Sequence, residues 1–241
     1  MIIYGINAVA EALKAGRVVG IRAGRRSDRR LGELIARAER AGVPVRRVSD
    51  AELDRDADGV AHQGVLADVA GPRTYELHDV IDAARAEPPA LIVVLDGIED
   101  PHNFGAIVRS ANAAGAHGVV RQTRHSAALG SAAAKASAGA LSHVRIANVV
   151  NIARAVEELK EAGIWTTGLA GDAPKPYDKM DFTLPTAIVM GAEGAGLRRL
   201  VRERCDLLAS IPMKGRVDSL NVSVAAGIVL FEALRQRGRT T

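Results

Sequence analysis

Arg109, Glu193, Ser219 and Asn221 are the side chains best placed for chemistry, because each stands in or just beyond a loop that follows an apolar run. Open α/β sheets bind ligands outside the carboxyl ends of their strands, so such loops are where a site is expected. The first loop begins at Asp96 and contains Asp100-Pro101-His102-Asn103-Phe104-Gly105. Asn103 is a candidate N-cap there. Arg109, two turns into the next helix, has small neighbours in Gly105 and Ala113 and could reach back over the loop. An ordinary surface arginine fits the same spacing. The second loop is Met190-Gly191-Ala192-Glu193-Gly194-Ala195-Gly196. Its glycines let the backbone approach a ligand closely. A carboxylate inside a glycine turn must be solvated, capped or paired with a cation, and Arg109 is the candidate partner of Glu193. In the third stretch, Pro212 ends a short apolar strand, Gly215 allows a turn, and Ser219 stands where a helix N-cap would. Ser219 and Asn221 sit at a join of strand, polar loop and helix, and buried polar groups there need partners in the protein or in a ligand.

Other chemistries lack their residues. The six histidines have no metal spacing, and the single cysteine, Cys205, excludes an internal disulfide or a Cys-based zinc cluster. Cys205 reads as a half-buried small residue. Ser110, Ser219 and Ser223 lie in no nucleophile elbow, which argues against a hydrolase. The glycines at 191, 194 and 196 match neither the dinucleotide fingerprint nor a phosphate loop. That absence also disfavours a doubly wound enzyme that uses a nucleotide cofactor on a small molecule.

The elements that carry these loops are legible. Residues 90–95, Ala-Leu-Ile-Val-Val-Leu, form a continuous apolar run, as expected of a parallel strand covered on both faces. Around it the pattern predicts helices near 104–114, 129–140, 152–162 and 197–204. Strands are expected at 118–121, 144–147, 164–169, 186–190 and 207–211. The helix after Ser219 has apolar residues so broadly spread that it is expected to be largely buried. Upstream, helices at 6–15 and 31–41 alternate with strands at 18–23, 43–48 and 64–70. The fold class is therefore α/β, with a small domain over 1–71, a linker over 72–88 bounded by the breaker stretches Gly71-Pro72-Arg73 and Pro88-Pro89, and a larger domain over 89–241.

Net charge is only +4, but eleven Lys or Arg fall between Lys14 and Arg47 against three carboxylates. The next stretch reverses sign at Asp50, Glu52, Asp54, Asp56 and Asp58. The cations are nearly all arginine, whose planar fork suits phosphate. Aromatic residues are 3% of the chain, too few for recognition by a row of stacking rings. No apolar stretch reaches the length of a membrane helix and no signal-peptide pattern is present, so a cytoplasmic protein is expected.

Taken in order, the three loops resemble the three motifs of the SpoU/TrmH family of RNA ribose 2′-O-methyltransferases, in the SPOUT superfamily. Tyr4-Gly5-Ile6-Asn7-Ala8-Val9 and His62-Gln63-Gly64-Val65 are similar to that family's N-terminal substrate-binding domain, whose fold is like ribosomal protein L30e. The resemblance spans nearly the whole chain. It implies a C-terminal SPOUT domain with a trefoil knot, S-adenosylmethionine as cofactor, and a homodimer with active sites at the interface. By the same resemblance Gly191, Ile211 and Leu220 contact the cofactor, with Met190 and Met213 close by. Arg109, Glu193, Asn103, Ser219 and Asn221 form the catalytic group, and the subfamily most similar acts on a guanosine in the peptidyl-transferase region of 23S rRNA. Arg22, Arg25, Arg26, Arg29 and Arg30 are expected to hold RNA.

A ribose hydroxyl is a poor nucleophile while protonated, whereas a sulfonium methyl is already activated. Catalysis then needs in-line positioning and help in removing or sharing one proton. The resemblance gives this task to Arg109. A guanidinium keeps its proton in proteins, so stabilising the developing alkoxide or gripping the adjacent phosphate suits it better than acting as base. The remaining readings are the same chemistry on tRNA or another rRNA site, and a non-catalytic RNA-binding factor for ribosome assembly.

Overall fold

In the computed structural model, residues 2–24, 28–70, 75–124, 126–127 and 130–238 are described. The N-terminal unit runs β1 (Ile2–Tyr4), α1 (Ile6–Lys14), β2 (Val18–Ala23), α2 (Arg29–Arg40), β3 (Val45–Arg47), α3 (Asp50–Ala57) and β4 (Val65–Val69). Its sheet has the order β1-β4-β2-β3, with β4 antiparallel to both neighbours and β2 parallel to β3. One face of the sheet, including Ile3, Ile21 and Ala67, joins the core formed with α1 and α2. The acidic run is α3: Ser49 caps it, Asp50 and Glu52 occupy its first turn beside the positive end of the helix dipole, and Leu53 and Ala57 pack on Leu66. The two N-terminal motifs meet at one point. Gly5 (φ 88°) turns the chain into α1 and has no side chain to cap it, and the Ile6 N–H donates instead to Gln63 Oε1 at 3.1 Å.

The C-terminal unit continues with α4 (Leu77–Ala86), β5 (Leu91–Asp96), α5 (Pro101–Ala113), β6 (Gly118–Gln122), α6 (Ser131–Ala136), β7 (Arg145–Val149) and α7 (Ile152–Glu161). Then come β8 (Trp165–Leu169), β9 (Thr186–Gly191), α8 (Arg199–Arg204), β10 (Leu207–Ala209) and α9 (Val222–Arg237). The sheet is parallel, in the order β10-β8-β9-β5-β6-β7. Every residue of the central β5 is buried. Val93 joins the core that includes α5 and α9, and Val94 the core that includes α4 and α7, so helices cover both faces.

Three expectations need correction here. Residues 77–86 are not linker: Leu77, Val80, Ile81 and Ala84 recur at helical spacing and are buried against the sheet as α4. Within the linker assignment, residues 72–74 lie outside the described residues, as does Gly71. The helix expected over 129–140 is shorter, because Ala138 (φ 48°) and Gly139 (φ 93°) turn the chain into a single 3₁₀ turn at Ala140–Ser142. Leu129 lies outside the described residues. Finally, α9 is not largely buried: Val224, Phe231 and Leu234 are 50%, 49% and 40% exposed.

The two units share a core and polar fastenings. Arg17 donates from Nη1 to Leu141 O and Ser142 Oγ, both at 3.2 Å, and from Nη2 to Ala70 O at 3.1 Å. His143 Nε2 lies 3.3 Å from Glu11 Oε2.

Candidate active site

The three loops converge at the carboxyl ends of β5 and β9 and at the start of α9. Beyond β5, Asp100 caps α5 by accepting the His102 N–H at 2.9 Å, with Pro101 at the first helical position. The cap is thus Asp100 and not Asn103. Asn103 is buried in the first turn, and its Oδ1 accepts from Asn221 Nδ2 at 2.9 Å. The cap of α9 is Asn221 and not Ser219: its Oδ1 accepts from Ser223 N (2.9 Å), Ser223 Oγ (2.6 Å) and Val224 N (3.4 Å). Asparagine has both an acceptor and two donor protons, so it caps the helix while its amide bonds elsewhere.

Beyond β9 the chain folds back on itself, with Gly196 N donating to Ala192 O at 2.8 Å and Ala192 N to Gly196 O at 3.1 Å. A Cβ at Gly191 would lie 2.1 Å from the carbonyl carbon of Gly196, so only glycine fits. Glu193, in this turn, accepts from Asn221 Nδ2 at 2.6 Å and from Val222 N at 3.4 Å. Its carboxylate thereby meets the amino end of α9, where the helix dipole favours negative charge. The expected pair with Arg109 is absent. Arg109 is exposed on α5 and its side chain makes no hydrogen bond or ion pair among the described residues.

The far end of the second loop is tied to the first by Asp96, which is 1% exposed. Its Oδ2 accepts from Arg198 N at 2.9 Å and its Oδ1 from Arg198 Nε at 2.6 Å, while Arg198 Nη2 donates to Gln122 Oε1 at 2.7 Å. Sequence reasoning missed this clamp. The available signal was an aspartate closing an otherwise apolar strand.

Between the second and third loops lies a cavity of about 390 Å³. Met190, Gly191, Ile211, Met213 and Leu220, the five residues expected to hold a cofactor, all line it, as do Glu193 and Ser219. Leu169, Ala170 and Gly171, from a fourth loop after β8 that the sequence reading did not single out, also line it, as does Asp218.

Residues 90–231 match the family model described as SpoU rRNA Methylase family, and residues 2–75 match RNA 2′-O ribose methyltransferase substrate binding. The chain belongs to the SpoU rRNA methylase family. It is 46% identical over 241 residues to the 23S rRNA (guanosine-2′-O-)-methyltransferase RlmB of Yersinia pestis, covering 98% of both chains. It is 45% identical over 239 residues to that of Escherichia coli K12, again covering 98% of each. Among solved structures, the SpoU methyltransferase AviRb of Streptomyces viridochromogenes in complex with AdoMet has a TM-score of 0.82 at 28% identity, over 99% of this chain and 91% of that one. The α/β class expected from the sequence, a SPOUT methyltransferase domain behind a smaller substrate-binding domain, is the one observed.

As a SpoU methylase the chain fits S-adenosylmethionine by its own residues. Met190, Ile211, Leu220, Val222 and Ala225 give apolar walls, the backbone of Gly191 lines the same cavity, and the volume suits a small ligand.

The arginines expected to hold RNA divide. Arg22 is half-buried and paired with Asp56 and, at 2.9 Å, with Asp68, so it is structural. Arg29 pairs with Glu33 at 3.0 Å. Arg25 and Arg26 lie outside the described residues. Arg30 is exposed with no side-chain partner among the described residues, and so are Arg37 and Arg40 further along the outer face of α2, which the sequence reading did not name. Cys205 is no nucleophile: burial, with Asp206 adding to it, pushes its thiol up to about 12.

Proposed function

We propose that this chain transfers a methyl group from S-adenosylmethionine to the 2′-hydroxyl of a guanosine in 23S rRNA, in the peptidyl-transferase region. The observation that carries this reading is the end-to-end identity, 46% over 98% of both chains, to enzymes named for that reaction. The cavity between the second and third loops supports it independently.

Bound in that cavity, the cofactor supplies a sulfonium methyl already activated for transfer. Gly191, Ile211 and Leu220, with Met190 and Met213, hold it through backbone and apolar surface. Arg109 keeps its proton and stabilises the negative charge that develops on the ribose oxygen. With no side-chain partner among the described residues to leave, it is free to meet RNA. Glu193 acts on Asn221 rather than on Arg109, and with Asn103 it fixes the third loop, on which Ser219 faces the ligand. The N-terminal unit, up to about residue 70, holds RNA through Arg30, Arg37 and Arg40, and the catalytic domain begins at α4.

Val224, Phe231 and Leu234 recur at helical spacing and turn outward on α9. A second copy of the chain suits this face, giving a homodimer. A cytoplasmic location follows from an rRNA substrate; among the described residues no helix is long and apolar enough to cross a membrane.

Transfer of radiolabelled methyl to unmodified total RNA, followed by mapping of 2′-O-methylated positions, tests the reading. A single labelled guanosine in large-subunit rRNA is expected. Label in tRNA alone would move the substrate, and no label would leave an RNA-binding scaffold.

A further inference from the structure

The charged side chains that line the cavity are, among the described residues, two carboxylates, Glu193 and Asp218, and no lysine, arginine or histidine lines it. The rest of the wall is apolar side chain and backbone, apart from the hydroxyl of Ser219. Such a cavity favours a cation. The two carboxylates differ in how far they are committed. Glu193 is bonded to Asn221 and to the first N–H of α9, which holds it in place and offsets its charge. Asp218 is exposed on the third loop, one residue before Ser219, and its side chain makes no hydrogen bond or ion pair among the described residues.

The cofactor and its spent form differ in one respect that this lining can sense. S-adenosylmethionine carries a sulfonium and an ammonium against one carboxylate, a net positive charge. Loss of the methyl leaves a neutral thioether with no net charge. Apolar contact with a single methyl group discriminates weakly, by about 10- to 200-fold at best in a closely fitted pocket, and this cavity is open on one side. An added charge acts on the two ligands differently.

We propose that Asp218 is a specificity-determining residue that favours the sulfonium cofactor over the thioether product. The inference rests on the cavity being the cofactor site. Exposure screens the carboxylate, so the preference it adds is modest, about 3- to 10-fold. That is enough to speed exchange of product for fresh cofactor, because the product loses an attraction the cofactor had.

Calorimetric titration of the full-length protein with S-adenosylmethionine, S-adenosylhomocysteine and sinefungin tests it, the last bearing an amine where the sulfonium methyl stands. Wild type should bind all three. Asp218→Asn should weaken S-adenosylmethionine and sinefungin about 3- to 10-fold and leave S-adenosylhomocysteine within about twofold, and Asp218→Glu should restore the preference. Unchanged binding of the thioether also shows that the variant is folded. Equal loss for all three ligands, or no loss for any, overturns the proposal. Wild type that binds none of them overturns the assignment of the cavity itself, a separate failure.

Discussion

The side-chain amide of Asn221 donates to Glu193 Oε1 at 2.6 Å, so the cap of α9 and the carboxylate of the second loop hold each other in place. The same amide reaches Asn103 Oδ1 at 2.9 Å, which brings one residue from each of the three loops into a single chain of bonds. Truncating Asn221→Ala removes a helix cap, leaves Asn103 Oδ1 without its bond, and leaves Glu193 only the longer one from the Val222 N–H at 3.4 Å. Loss of the cap alone costs about 1 kcal/mol, and a bond to a charged group about 1.5–3 kcal/mol more. Urea unfolding should therefore show a loss of about 2.5–4 kcal/mol. Asn221→Asp keeps the cap but sets two carboxylates against each other. It should lose methyl transfer as fully as Asn221→Ala while losing less stability.

Asp96 and Arg198 are an asymmetric pair, since the Asp96 carboxylate is fully buried and Arg198 is half-exposed. Removing either partner breaks the clamp, but the consequences differ. Arg198→Met leaves a buried charge unpaired, which costs about 3–5 kcal/mol. Asp96→Asn leaves a guanidinium that water can solvate, and should cost about half as much. Thermal unfolding of the two variants should rank them in that order. Both should weaken S-adenosylmethionine binding, because the loop between Gly191 and Arg198 that walls the cavity loses its side-chain tie and keeps at most the bond from the backbone N–H of residue 198.

Much of this arrangement was legible in the sequence, for identifiable reasons. A strand such as β5, apolar along its whole length, advertises burial on both faces, and it located the sheet and the loops beyond it. The glycine turn around Glu193 pointed to a close approach between backbone and ligand; at Gly191 the close approach is to the loop's own backbone at Gly196. Helix α4 was hidden because its four buried positions are set among polar residues between Gly-Pro and Pro-Pro, which read as punctuation. The partners of polar side chains were harder still. Arg22 sits in an arginine-rich stretch, and only the pairing of β2 with β4 sets it beside Asp68. Glu193 was matched to Arg109 by charge, yet an amide and a helix terminus hold it instead. Spacing along a chain identifies which loops meet, but not which atoms within them bond.

The arginines of the N-terminal unit separate into binding and structural ones, and charge reversal should tell them apart. Arg30, Arg37 and Arg40 are exposed and unpaired on α2 among the described residues. Changing all three to glutamate should weaken RNA binding and flatten its dependence on salt by about 2–3 in log–log slope, with cofactor affinity and folding retained. Arg22→Glu should instead destabilise the unit, because it places a third carboxylate beside Asp56 and Asp68. Filter binding across a salt series and circular dichroism distinguish the two outcomes.

Cys205 offers a check on burial that needs no substrate. Its thiol is pushed up to about 12, chiefly by burial, and Sγ donates to Val201 O at 3.3 Å. A raised pKa means the reactive thiolate is scarce below it, about one part in ten thousand at pH 8. Alkylation of the folded protein should be negligible there and should rise about tenfold per pH unit while the fold persists. The same thiol should label quickly in denaturant, where its ordinary pKa returns. Rapid labelling of the folded protein at pH 8 would contradict the packing of Cys205 between α8 and the sheet.

Arg109 should affect the chemical step and not the cofactor. It stands on the exposed side of α5, it does not line the cavity, and it touches neither Glu193 nor Asn221. Arg109→Ala should leave calorimetric binding of S-adenosylmethionine unchanged and lower turnover at saturating RNA by about 100- to 1,000-fold, the size of effect seen when a donor to a developing oxyanion is removed. Arg109→Lys separates charge from shape. A lysine keeps the positive charge but lacks the planar fork, so it should recover only part of the rate if two N–H groups grip the reacting oxygen and its neighbouring phosphate. Full turnover in Arg109→Lys would reduce the residue to a simple positive charge. Weakened cofactor binding in Arg109→Ala would mean that the arginine reaches the cavity after all, and its part in the reaction would have to be derived from there.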